Sequence, residues 1–151
     1  MKVLKVFSLV LILFLVGCSK EKYIVCNVDI NNDLQDYSNI GAYKIYYKNN
    51  YVTKIEKQEK YISKDKDVIK YFKDYKELEY YDLNDKYGGI TYNINDIENG
   101  IKISSNFDFK LIDVNSMAKD GKIDRDFVIL GKLTLGGIKS IYKSRGAVCE
   151  E

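Results

Sequence analysis

The run Val6–Val16 is apolar except for Ser8, follows two cations at Lys2 and Lys5, and gives way at Gly17-Cys18 to the polar Ser19-Lys20-Glu21-Lys22. It is about half the roughly 20 residues that a helix needs to cross a bilayer, so a permanent transmembrane anchor is the weaker reading. A charged start, a short apolar core and a small-residue exit are the three parts of a secretory signal. Residues 1–17 are therefore read as a cleaved signal peptide, 18–22 as a short tether, and 23–151 as a single domain of ordinary size.

Leu15-Val16-Gly17-Cys18 resembles the bacterial lipobox, in which small residues precede an invariant Cys. The resemblance implies that Leu15, Val16 and Gly17 are read by a lipoprotein signal peptidase. It also implies that the Cys18 thiol receives a diacylglyceryl group and becomes the first mature residue, its new amine open to a further acyl group such as palmitate. The alternative is an ordinary secretory signal that ends near a Cys. Burying two or three acyl chains at about 0.8 kcal/mol per CH₂ makes release negligible, so the expected location is the extracytoplasmic face of a bacterial cell membrane. No cofactor is expected beyond these covalent lipids.

The chain has 24 Lys plus Arg against 22 Asp plus Glu, and setting aside Lys2 and Lys5 leaves 22 of each sign. A neutral body argues against a nucleic-acid partner, which calls for excess cations to displace counterions from phosphates, and against polybasic attachment to anionic lipid. The 30% charged fraction beside 46% apolar residues excludes a mostly disordered chain and a protein that crosses the membrane repeatedly. With no His at all, histidine triads, His-ligated zinc and imidazole acid/base chemistry are excluded.

Three Cys less the lipidated one leave Cys26 and Cys149, both in apolar settings, Tyr23-Ile-Val-Cys-Asn-Val and Gly146-Ala-Val-Cys. An even remainder in an exported protein suggests a disulfide joining the first strand to the C-terminal segment, with two buried free thiols as the alternative.

Along the chain, Ile24, Cys26, Val28 and Ile30 alternate as in a half-buried strand. Residues 31–39 are polar and turn-rich; strands follow over Ala42–Lys48 and Tyr51–Ile62, joined by Asn49-Asn50, a pair suited to the positive φ of a tight hairpin. The third strand carries Lys54, Glu56, Lys57, Glu59 and Lys60, so one of its faces is expected to be wet. After Ser63 as N-cap, Val68, Tyr71, Phe72, Tyr75 and Leu78 predict one apolar helix face ending near Tyr80. A second hairpin turns at Asn99-Gly100, residues 112–126 read as loop, and a last helix runs from Thr134 as N-cap to Gly146, with Leu133 and Ile138 at staple positions and Gly136 and Gly137 weakening it. The order β-β-β-α-β-β-α predicts an α+β fold, an antiparallel sheet of about five strands with two helices on one face.

Taken together, the lipobox, the Cys-bearing first strand, the hairpin Tyr43-Lys-Ile-Tyr-Tyr-Lys-Asn-Asn-Tyr-Val-Thr-Lys, the amphipathic helix, Asp108-Phe-Lys-Leu, the last helix and Gly146-Ala-Val-Cys resemble the YehR-like small bacterial lipoproteins. The resemblance spans residues 18–151. It implies the same fold, supports the Cys26–Cys149 pairing, and supplies no catalytic residue, because the family has no established activity.

No constellation of residues declares a chemistry. Asp29-Ile-Asn-Asn-Asp33 has calcium-loop spacing but Leu34 and Ile40 at the glycine and bidentate positions, Asp120-Gly-Lys-Ile lacks its flanking ligands, and no metal site is expected. Ser140-Ile-Tyr-Lys143 matches S-x-x-K in letters without companion motifs. Among fourteen Tyr, those at 46, 47, 71, 75, 80 and 81 could line a sugar or peptide groove, although core and sheet-face roles are the commoner fate of such residues. The expectation is a non-enzymatic envelope protein, attached to the membrane by its lipid and taking a small ligand or another envelope protein as partner. The alternative is a small surface hydrolase acting through carboxylates or a Ser-Lys pair.

Overall fold

The computed structural model describes residues 20–32 and 36–150. Residues 1–17, read as a signal peptide with Leu15, Val16 and Gly17 at its recognition positions, and Cys18 lie outside the described residues. Five long strands, β1 (Lys22–Asn32), β2 (Tyr37–Lys48), β3 (Tyr51–Ile62), β4 (Ile90–Ile97) and β5 (Gly100–Asp108), pair antiparallel with a short sixth, β8 (Val148–Glu150). The spatial order is β4-β5-β3-β2-β1-β8. Beside this sheet, β6 (Val128–Ile129) and β7 (Lys132–Leu133) form a two-stranded ribbon.

The α+β class and antiparallel sheet stand as expected, with one strand and one helix more. The extra strand is β8, whose Cys149 pairs opposite Cys26 in the sheet register and is joined to it by a disulfide across a sequence separation of 123. Three residues are too few to show a period in the sequence, so only the cysteine marked this segment. The extra helix is α2 (Val114–Lys119), in the stretch expected to be loop. Asp113 caps it by accepting from Ser116 N–H, and Val114, Met117 and Ala118 bury one side of its single turn.

Side-chain alternation orders the sheet, with one break between β2 and β3. Ile24, Cys26 and Val28 of β1 point inward with Tyr43 and Ile45 of β2 and Ile101 and Ile103 of β5, whereas Ile30, near the end of β1, is 37% exposed. The β2–β3 turn uses Asn49 and Asn50 at φ 52° and 64°, as a tight primed turn requires. A register shift at Tyr46/Tyr47 then turns Val52 rather than Thr53 inward.

The long helix α1 (Lys66–Tyr87) starts two residues later and ends seven residues later than expected. Asp65 is the N-cap, accepting from Asp67 N–H, while Ser63 Oγ accepts from Asp65 N–H one step before it. Its inward stripe is Ile69, Phe72, Lys76, Tyr80, Leu83 and Tyr87; of the expected face Phe72 packs inward, whereas Tyr71, Tyr75 and Leu78 are 63%, 48% and 61% exposed. The last helix, α3 (Leu135–Ser144), has its Thr134 cap in place, with Oγ1 accepting from Gly137 N–H at 3.2 Å and Leu133 and Ile138 both buried.

Gly137, expected only to weaken α3, is a contact residue, since a Cβ there would sit 2.4 Å from Phe127 Cβ. Both long helices lie over the inward face. Tyr61 of β3 stacks on Phe72 of α1 at 4.7 Å, and Tyr43 of β2 stacks on Tyr142 of α3 at 4.6 Å.

Two stability measurements check this account. Reducing Cys26–Cys149, or replacing both residues with Ser, is expected to lower the unfolding free energy by about 2–4 kcal/mol in urea titrations. Gly137→Ala is expected to cost about 1–3 kcal/mol through overpacking against Phe127, where an ordinary exposed helix glycine would gain from the same change.

Candidate functional site

A single row of opposed residues crosses all six strands in the order Tyr92, Ser105, Lys57, Tyr43, Cys26, Cys149. Residues opposed in register share a face, so Lys57 points into the body with its neighbours. Two residues along β3, Glu59 has the same parity and is 4% exposed. The sequence reading placed both among the charges of a wet strand face; the structure corrects this, for Lys54, Glu56, Gln58 and Lys60 form the outer face alone. Ile55, Lys57, Glu59 and Tyr61 form the inner one. The available signal was parity, since Lys57 and Glu59 sit in phase between Ile55 and Tyr61.

Glu59 is held from several sides. Tyr43 donates to its Oε1 at 3.0 Å, Tyr80 of α1 donates to its Oε2 at 3.0 Å, and Lys57 Nζ stands 3.5 Å from Oε2. The Tyr80 oxygen in turn accepts from Lys57 at 3.4 Å and from Ser105 Oγ at 3.3 Å. Opposite Glu59 in the register is Gly41, where a Cβ would come within 3.1 Å of the Tyr43 hydroxyl, so the missing side chain leaves the phenol room to reach the carboxylate.

Burial acts to raise the Glu59 carboxyl, but Lys57, Lys76 and the two phenol donors outweigh it and hold its pKa below the ordinary value. For Lys57, burial is the larger influence and, with Lys76 nearby, prevails over Glu59, leaving the ammonium pKa below its usual value. Both shifts favour loss of the proton, which ionises Glu59 but works against the Lys57 charge. The carboxylate is held ionised, because each of its oxygens accepts a hydrogen bond from a phenol and the Lys57 amine is near. Burial first, then the Glu59 charge, raises Tyr43 and Tyr80 far out of reach of titration and pushes Tyr61 up to about 12. The phenols are thus fixed donors.

Lys57 has the rings of Tyr43, Tyr80 and Phe107 at 5.3, 5.7 and 5.4 Å from its Nζ, within cation–π range. It lies with Ile55 and Phe107 on the floor of a cleft of about 760 Å³ between α1 and α3. Leu83 forms one wall, Ile138, Ile141 and Tyr142 the other, and charged side chains such as Asp82, Lys86 and Arg145 stand along it. Of the tyrosines considered for a groove, Tyr75 and Tyr80 line this cleft, whereas Tyr71 and Tyr81 are exposed and Tyr46 lies on the opposite face of the sheet, beneath Lys44 and Lys54.

Ser140 and Lys143 both lie on exposed positions of α3. Asp120 ends α2 and is occupied by Lys86 and by the Tyr87 hydroxyl, each at 2.9 Å. Among the described residues, no group of three or more His, Cys, Asp or Glu is placed to hold a metal ion.

The arrangement defines the class by its fold, a six-stranded antiparallel sheet with its helices on one side. The chain is similar to the NMR structure of E. coli YehR, at 12% identity with 87% of this chain and 92% of that chain covered and a TM-score of 0.59. It is likewise similar to the NMR structure of a protein from Streptococcus pneumoniae TIGR4, at 13% identity, 89% and 88% coverage and a TM-score of 0.55. At these identities the likeness is one of fold, and it is the fold that the sequence resemblance to YehR-like proteins implied. No family model and no curated protein matches the sequence.

Removing the buried acid tests the network. Glu59→Gln leaves Lys57 without its countercharge and is expected to cost about 3–5 kcal/mol, whereas Lys57→Met with Glu59→Gln is expected to cost less than the two single changes added. Because the folded pKa of Glu59 lies below the unfolded value, its contribution is present above about pH 4.3 and lost as pH falls through the folded pKa. The acid limb of wild-type stability should therefore be steeper than that of Glu59→Gln, as read from denaturant midpoints across pH 2–6.

Proposed function

We propose that this protein is a lipid-anchored envelope protein that binds a small, mostly apolar ligand in the cleft between α1 and α3 and performs no catalysis on it. The observation that carries the reading is the state of the cleft floor. Its polar groups, Lys57 and Tyr80, are engaged with a carboxylate that accepts a phenol hydrogen bond on each oxygen, so they are built to be fixed rather than to exchange protons. The apolar walls supply affinity, and the remaining donor capacity of the Lys57 ammonium suits one acceptor or anionic group on the ligand.

The lipobox and the export signal support attachment to the outer side of a bacterial membrane through Cys18. The Cys26–Cys149 disulfide accords with that compartment.

Two experiments test the proposal. Cys18→Ala is expected to move the protein from the membrane fraction to the soluble fraction; a variant that stays with the membrane overturns the anchoring. For the cleft, the probe is 1-anilinonaphthalene-8-sulfonate, an apolar ring system with one anionic group. The native protein should bind it saturably, and Leu83→Trp or Ile141→Trp, which fill the cleft, should weaken that binding at least several-fold with little change in the unfolding midpoint. Binding unchanged in both variants overturns the site. A hydrolytic activity that falls with Glu79→Gln or Asp82→Asn, carboxylates lining the cleft, overturns the non-catalytic reading.

A further inference from the structure

The start of the described chain lies at one end of the sheet. Lys22 pairs with Tyr47, beside the Asn49-Asn50 turn, and Glu21 accepts a hydrogen bond from Thr53 Oγ1 at 2.6 Å. The same end carries the β6–β7 ribbon, since Tyr51 bridges to Thr134, Leu135 N–H donates to Asn50 C=O at 2.8 Å and Lys132 Nζ is 5.6 Å from the Tyr51 ring centre. It also carries the exit of β5, because Phe109 N–H donates to Thr53 C=O at 3.0 Å and Lys110-Leu111 follow.

Three large apolar side chains stand in water at this end: Leu130 at 90% exposure, Leu111 at 69% and Ile129 at 49%. Leu130 is the least explained by folding. It occupies the tip of the ribbon at φ 52°, a conformation in which Asn or Gly would be at ease, and it gains almost no burial in return. Lys22, Lys110 and Lys132 are cations of the same end; among its acids, Glu21 is engaged with Thr53, Asp108 accepts from Lys110 N–H, Asp113 caps α2 and Asp126 precedes the ribbon.

We propose that this end of the domain lies on the lipid surface, with Leu130, Ile129 and Leu111 seated among the headgroups and the lysines facing anionic phosphates. The inference rests on the lipid-anchor reading. Cys18 precedes Lys20 by two residues, which span at most about 7 Å whatever path they take, so an anchored Cys18 brings this end and no other against the bilayer. The body is neutral as a whole, so the attraction is local, with exposed apolar area and the tether acting together.

The test uses the mature lipidated protein in vesicles of phosphatidylglycerol and phosphatidylcholine. A bimane label is placed at Leu130→Cys or, as the distant reference, at Glu98→Cys beside the Asn99-Gly100 turn at the far end of the sheet; both positions are exposed, so neither change disturbs the core. Spin-labelled lipid should quench the label at position 130 several-fold more than that at position 98. Equal quenching in protein that floats with the vesicles overturns this inference alone. Wild-type protein that does not float with the vesicles overturns the anchor reading and this inference with it. Self-quenching between labels at position 130, without quenching by lipid, overturns it in favour of a second copy as the occupant.

Discussion

A carboxylate buried at the centre of the sheet sets the terms for what surrounds it. Leaving Glu59 in a low-dielectric interior without partners would cost more than a domain of this size has to spare, so the groups that satisfy it are constrained together. Tyr80 can reach Glu59 Oε2 only when α1 crosses the sheet at one height and one rotation, because a helix displaced by one residue turns its side chains by about 100°. An apolar stripe alone would tolerate several such placements. The hydrogen bonds of Tyr80 to Glu59, Lys57 and Ser105 select one.

The second long helix is positioned from the same row. Tyr43 donates to Glu59 with its hydroxyl and stacks its ring on Tyr142 of α3, so one side chain couples the buried acid to the opposite wall of the cleft. Beyond Tyr43 the row continues to Cys26 and Cys149, where the disulfide fastens β8, the segment that follows α3. The separation of α1 from α3, and hence the width of the cleft, is therefore fixed at both walls by residues of one cross-strand row and the acid beside it.

The features readable in the sequence are those written in local chemistry. The alternation around Cys26, the Asn-Asn turn, the Thr134 cap and its staple each depend on residues within a few positions of one another, and all are found in the structure. The inner face of α1 was not readable because Lys76 stands in the middle of it. A search for apolar residues at helical spacing finds Phe72 but otherwise passes over the true stripe and takes Tyr71, Tyr75 and Leu78 instead, one residue away. Lys57 and Glu59 escaped for the same reason, since a charge is ordinarily a mark of the wet face. Each of these residues is made acceptable inside in part by an aromatic partner remote in the chain. Lys57 and Glu59 need Tyr80, whereas Lys76 needs Glu79 on its own helix and the rings of Tyr61 and Tyr80 around it. Beyond the parity of Lys57 and Glu59, such compensation leaves little local signature, which is why the strand and its hairpins were legible while the site they support was not.

The two faces of the sheet divide the energetic roles accordingly. On the outer face, Lys54 and Glu56 pair at 2.6 Å with about a third or more of each side chain exposed, and Lys44 rests on Tyr23 and Tyr46; contacts of this kind in water contribute little each. The inner face carries the acid, the disulfide and the helices, so a change on the outside alters the surface whereas a change inside alters the placement of a helix. The polarity of the sheet also fixes where the cleft lies along it. Tyr87 ends α1 where Gly89 meets Asp108, at the same end as the β2–β3 turn, and α3 begins beside Asn50 at that end too. The part of α1 from Tyr75 to Tyr87, and Ile138, Ile141 and Tyr142 of α3, line the cleft. The cleft therefore occupies the half of the body nearer the start of the described chain, and the geometry that satisfies Glu59 also decides where along the sheet the cleft lies.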